Sequence, residues 1–95
     1  MPFISQTPRP FTRQNVESFR PNQNGVYGLF KKDAWVYIGK GDIRQRLLDH
    51  LNGDNPCVLQ LQPTHWVDEV ITGDPSIRER ELIDELQPIC NQKVG

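Results

Sequence analysis

Two aromatic, β-branched runs, Val26-Tyr27-Gly28-Leu29-Phe30 and Trp35-Val36-Tyr37-Ile38, flank the polar string Lys31-Lys32-Asp33. Such a pattern is expected to fold as a β-hairpin spanning Gly25 to Gly39. Tyr27 and Tyr37 stand ten positions apart, one in each arm. If Phe30 pairs with Ala34 across a three-residue loop, the tyrosines oppose each other and share one face of the sheet. A one-residue slip would send them to opposite faces. The register therefore decides whether they can work together.

Downstream, Asp42 is placed to cap a helix, with Gln45 completing a capping-box pattern. Ile43, Leu47, Leu48 and Leu51 form its apolar stripe, and Gly53 ends it. Asp54-Asn55-Pro56 starts a second, short helix with proline at its first position, running to about Gln62. His65 to Ile71 alternates like a strand, and Asp74-Pro75 opens a last helix that stops before Pro88. The expected order is β-β-α-α-β-α, an α+β domain with a small three-stranded antiparallel sheet flanked by helices. Residues 1–24 hold four prolines and little periodicity, and read as an N-terminal arm with a turn of helix near Asn15 to Phe19. Residues 25–95 form the domain proper.

At 95 residues the chain has room for one core. No apolar run approaches the roughly 18 residues of a spanning helix, and the first residues lack the pattern of a secretory signal. Cys57 and Cys90 form no C-x-x-C pair, and are expected as free thiols in a cytoplasmic protein. A zinc site from Cys57, Cys90, His50 and His65 lacks the usual ligand spacing. The net charge is −1 but unevenly spread. Residues 1–53 carry eight basic and four acidic side chains, and residues 54–95 carry three basic and eight acidic. The first half is thus expected to supply a basic face.

On the last helix, at about 100° per residue, taking Ile77 as zero puts Leu82 at roughly 140°, Leu86 at 180° and Ile83 at 240°. Glu79 falls at roughly 200°, inside that apolar stripe, whereas Arg78, Glu81, Asp84 and Glu85 fall outside it. A carboxylate facing a core needs compensation, either an ion pair with an arginine or a metal or catalytic role. On the first helix, Arg46 and His50 are four apart and share a surface; Arg44 lies closer to the apolar stripe, where its stem can snorkel. Gly39-Lys40-Gly41 lets backbone approach a ligand at the strand-to-helix turn, or is simply a tight turn.

From Gly25 to Asn91, the strings Gly25-Val26-Tyr27 and Tyr37-Ile38-Gly39 and the residues after them resemble the GIY-YIG nuclease family. These are metal-dependent phosphodiesterases found in excision-repair incision subunits, homing endonucleases and some restriction enzymes. The resemblance implies that Tyr27 and Tyr37 are the signature tyrosines and Arg46 the catalytic arginine. His50 falls where the family has histidine or tyrosine. Glu79, ahead of Leu82-Ile83, matches the metal-binding glutamate, while Lys40 and Asn91 match positions near substrate. The stretch from Tyr37 to Arg46 is one residue shorter than in comparable members.

It implies an endonuclease acting on nucleic acid, DNA rather than RNA. Arg46 would stabilise the phosphate, Glu79 would hold one Mg²⁺ or Mn²⁺, and Tyr27, Tyr37 and His50 are candidates for proton transfer. No DNA-recognition module is expected beside the domain, so specificity would come from the arm, a protein partner, or neither. The competing reading is a nucleic-acid- or partner-binding module that keeps the fold without the reaction.

Overall fold

A computed structural model describes residues 3–91; the first two residues of the 1–24 arm and the last four of the 25–95 domain lie outside them. The hairpin forms from β2 (Asn24–Lys31) and β3 (Ala34–Asp42), after a short β1 (Arg9–Pro10) and α1 (Arg13–Glu17). Then come α2 (Ile43–Leu51), α3 (Pro56–Leu61), β4 (His65–Val70), α4 (Ser76–Leu86) and a 3₁₀ turn at Ile89–Asn91. All strands pair antiparallel in the order β1-β4-β2-β3. The sheet has four strands rather than the three expected. The extra one is a two-residue edge strand containing Pro10, too short to show alternation and tolerable to proline because it lies at an edge.

The hairpin closes differently from expectation. Lys31 pairs with Ala34 and Phe30 with Trp35, leaving Lys32 and Asp33 as the turn, with Lys32 left-handed at φ 54°. Continued unchanged, that register would set Tyr27 opposite Ile38 and so separate the tyrosines. A bulge beside Leu29 and Phe30 inserts Val36 as the extra residue of β3. Tyr37 then pairs with Leu29, and Tyr27 with Gly39. The tyrosines are diagonal neighbours on one face instead of direct opposites.

That face carries the larger core: Tyr27, Leu29, Val36 and Trp66 pack on Val16 of α1, Ile43 and Leu47 of α2, and Val58 of α3. The caps behind this layer are local. Asp42 accepts from the Gln45 amide, while the Gln45 side chain turns forward to Asp49 and leaves the capping box half made. Asn55 accepts from the Cys57 and Val58 amides, with Pro56 in the first turn of α3. On the opposite face, Val26 and Ile38 meet Leu82, with Ile83, Leu86 and Phe3 around them.

The N-terminal segment packs on both faces. Val16 is fully buried, Phe19 meets Trp66 edge-on at 5.4 Å, and Phe3 stacks on Trp35 at 5.4 Å. α4 keeps the face read from the sequence, with Ile77 exposed opposite buried Leu82, but Arg78 turns inward instead of joining the charged side. The Arg78 fork grips Glu69 of β4 at 2.8 and 2.9 Å, and Glu69 also accepts from the Ile4 amide at 2.9 Å. The arginine–carboxylate pair expected as an option for Glu79 is thus formed one residue earlier, with a carboxylate from the sheet. No helix of the described residues is long and apolar enough to cross a membrane.

The cysteines overturn an expectation. Cys57 and Cys90 are joined in a disulfide, their Cα atoms 5.7 Å apart, and are not free thiols. Neither spacing nor motif could show this, because the pair is brought together by the packing of α3 against the C-terminal turn. Closing a loop across a separation of 33 residues restricts the unfolded chain and is worth about 3–4 kcal/mol in the chain-entropy account. Reduction is therefore expected to lower the urea midpoint measurably. An identical midpoint with and without reductant would mean that the thiols are not joined.

Candidate active site

Tyr27 lies in the centre of β2 with no exposed surface, and its hydroxyl is 2.8 Å from Nε2 of His50 on α2. His50 is almost as deeply buried, so each polar group depends on the other for satisfaction. Tyr37 completes a three-ring cluster, 5.0 Å from the His50 ring and 6.3 Å from Tyr27. Gly39 makes room for it. A Cβ built there would stand 2.3 Å from the Tyr27 hydroxyl oxygen and 2.9 Å from the Tyr37 ring. Glycine at this position is a steric requirement of the tyrosine pair.

Arg46 sits one turn before His50 on α2, held by Asp49 at 3.2 Å and by Asp54 at 3.8 Å. Asp54 also brings Oδ1 within 3.2 Å of His50 Nδ1. That atom lies off the N–H axis and makes no aligned hydrogen bond, so Asp54 acts on the ring through its charge. Sequence reading missed Asp54. It is four residues after His50, but Gly53 separates it from the helix, where a helical-face argument does not reach.

The electrostatics follow from burial. Burial pushes the Tyr27 phenol far above its ordinary value, with Tyr37 adding to the rise and Arg46 opposing it. Burial also raises Tyr37, and Arg46 is again the principal opposing group. Burial lowers His50, Asp54 pulls it back up, and Arg46 lowers it further. The Asp54 carboxylate beside Nδ1 favours the neutral tautomer with its hydrogen there, which leaves Nε2 to accept from the Tyr27 hydroxyl.

Glu79 lines a concavity of about 420 Å³ with Lys40, Ser76, Arg80, Ile83, Asp84 and Asn91. Burial raises its carboxyl above the ordinary range, offset by Lys40 and Arg80. Lys40 Nζ is 3.9 Å away and donates to Ser76 Oγ at 2.5 Å. The Glu79 charge reaches Tyr37, whose ionisation it opposes, and this links the two halves of the site. Asn91, expected near substrate, has both ends of its amide on the edge of β3, accepting from Ile38 N at 2.8 Å and donating to Ile38 O at 2.9 Å. Tyr27, Tyr37, Arg46 and His50 are thus in one cluster, with Glu79, Lys40 and Asn91 beside it.

Among the described residues no three His, Cys, Asp or Glu side chains converge as a metal cage, which removes the zinc alternative. The half-buried Glu79 carboxylate in an open pocket, with the exposed Asp84 also on its lining, fits a different ion. It suits a hard divalent cation that keeps most of its waters and takes further oxygens from a phosphate.

In fold and signature the chain is similar to GIY-YIG nuclease domains. No family model and no curated protein matches its sequence, so the likeness is carried by structure. The N-terminal GIY-YIG endonuclease domain of UvrC from Thermotoga maritima, bound to magnesium as its catalytic divalent cation, superposes with a TM-score of 0.73 at 26% identity. The match covers 84% of this chain and 94% of that one. A point mutant of the same domain, also bound to its catalytic divalent cation, gives a TM-score of 0.73 at 24% identity over 85% of this chain and 94% of that one.

A lowered His50 has a thermodynamic consequence. Folding favours the neutral ring, so the stability it contributes is full above the unfolded value of about 6.5. It is lost as pH falls from there through the lowered folded value. In an NMR titration the His50 ring is expected to protonate below the ordinary imidazole value of about 6.5. A His50 midpoint at or above 6.5 would mean that Asp54 outweighs burial.

Proposed function

We propose that the chain is a metal-dependent endonuclease that hydrolyses phosphodiester bonds in nucleic acid, with DNA as substrate. The observation that carries this is the packing of Arg46 against a buried tyrosine–histidine pair and a second, half-buried tyrosine, with the Glu79 pocket alongside. Hydrolysis needs a deprotonated water, a neutralised phosphate and a stabilised leaving oxygen. Arg46 presents a permanently charged planar fork to the phosphate oxygens. A divalent cation on Glu79 would supply Lewis-acid stabilisation of the leaving oxygen.

Tyr37 is the phenol placed to meet substrate, because it is half-buried while Tyr27 has no exposed surface. Burial works against ionising Tyr37, and Arg46 favours its phenolate. Once the Tyr37 phenol has released its own proton to solvent, the phenolate takes the proton of the attacking water. Tyr27 and His50 form the backing of the site, holding both rings and the turn of α2 that carries Arg46. Lys40 balances the Glu79 charge and can contact phosphate.

Arg46→Ala removes both the phosphate clamp and the group that favours the Tyr37 phenolate. Its kcat for Mg²⁺-dependent plasmid cleavage is expected to fall on the order of 10²–10³, with most DNA affinity retained. If wild type shows no metal-dependent cleavage and Arg46→Ala changes only salt-sensitive affinity, the chain is a binding module.

Glu79→Gln tests the metal position. Because folding favours the protonated form of Glu79, the neutral variant is expected to keep or raise the melting temperature at neutral pH while cleavage collapses. A marked loss of stability would return Glu79 to a structural role.

A further inference from the structure

We propose that the N-terminal segment forms a phosphate-gripping subsite for the DNA backbone, in the pocket between α1, the start of β2 and the end of β4. This rests on the nuclease reading and locates substrate contacts outside the catalytic cluster. The pocket encloses about 310 Å³ and is lined by Arg9, Ser18, Phe19, Arg20, Gln23 and Val70. Its charged lining is basic, with two guanidinium groups, a hydroxyl and an amide as neighbours. That set suits a phosphodiester oxygen, which accepts hydrogen bonds and carries negative charge.

The two arginines are prepared differently. Arg9 is held rigidly, its guanidinium 4.8 Å from the Trp66 ring and 5.4 Å from that of Phe19, with Asp68 at 2.9 Å. Its donors are ordered before any ligand arrives, which reduces the entropy lost on binding. Asp68 neutralises it in part. Arg20 is exposed and has no ion-pair or hydrogen-bond partner among the described residues, so its charge is available.

The pocket is continuous with the active site through backbone. Gln23 O accepts from Ile43 N at 2.9 Å, and Asn24 pairs with Asp42. The pocket wall is thus fastened to the first residue of α2, and Arg46 follows within one helical turn, about 4.5 Å along the axis. A backbone entering at Arg46 can continue toward Arg20 along this edge. Two of the basic residues of the first half, Arg9 and Arg20, are brought together here by the N-terminal segment.

The test is the salt dependence of binding, measured in EDTA so that no cleavage intervenes. A short fluorescein-labelled DNA duplex is titrated by anisotropy with wild type, Arg20→Ala and Arg13→Ala at several salt concentrations. Arg13 also lies on the N-terminal segment but reaches Asn52 instead of the pocket. Arg20→Ala is expected to weaken binding roughly tenfold and to reduce the slope of log K against log salt by about one unit. Arg13→Ala is expected to leave the slope unchanged. Equal losses in both variants, no loss in Arg20→Ala, or no duplex binding by wild type would each overturn the subsite. Absence of metal-dependent cleavage, with the Arg20 effect intact, would overturn the nuclease reading and leave the subsite standing. Arg20 is exposed, so the variant is expected to match the wild-type melting curve.

Discussion

The hydrogen bond between the Tyr27 hydroxyl and His50 Nε2 ties the sheet to α2 in surroundings with almost no solvent access. Buried polar atoms are costly when unpaired, so satisfying both at once fixes the helix against the strand. Other features follow from it. Gly39 must lack a side chain to leave the hydroxyl its space, and the bulge at Val36 must shift the register so that Tyr37 joins the same face. Arg46, one turn from His50, is then delivered to both phenols.

Burial and charge play opposing parts here. Burial alone would leave two weakly acidic phenols and a neutral imidazole, a stable but unreactive cluster. Arg46 acts against burial at both tyrosines. Asp49 and Asp54 anchor that arginine, and Asp54 also faces His50. The Glu69–Arg78 pair has a comparable anchoring role on the other face, fastening the first turn of α4 next to Glu79. Each position proposed to react is thus held in place by a charged neighbour.

Much of this was legible in the sequence where the determinants are local. The Asp42 and Asn55 caps, the strand from His65 and the inward bias of Glu79 rest on residues within a turn of one another. The shared face of the tyrosines was anticipated, but by the wrong register: a two-residue turn plus a bulge reaches the same parity as the expected loop. What could not be read depends on contacts far apart in the chain. The Cys57–Cys90 bond, the β1 pairing with β4, and the Glu69 grip on Arg78 each arise from packing. Periodicity also misplaced Arg78, because a specific ion pair with Glu69 of the sheet draws it away from the charged side. Asp54 escaped for a related reason, lying past a helix end where its direction is set by the following loop.

In the proposed reaction Tyr37, whose phenolate Arg46 favours while burial opposes it, accepts the proton of the attacking water. The most direct measurement is the Mg²⁺-dependent nicking rate of supercoiled plasmid by Tyr37→Phe, which removes one oxygen and keeps the ring against His50. The account requires a fall of at least about 10²-fold with an unchanged melting temperature and DNA affinity. Nicking by Tyr37→Phe at the wild-type rate would contradict it and move the proton transfer elsewhere.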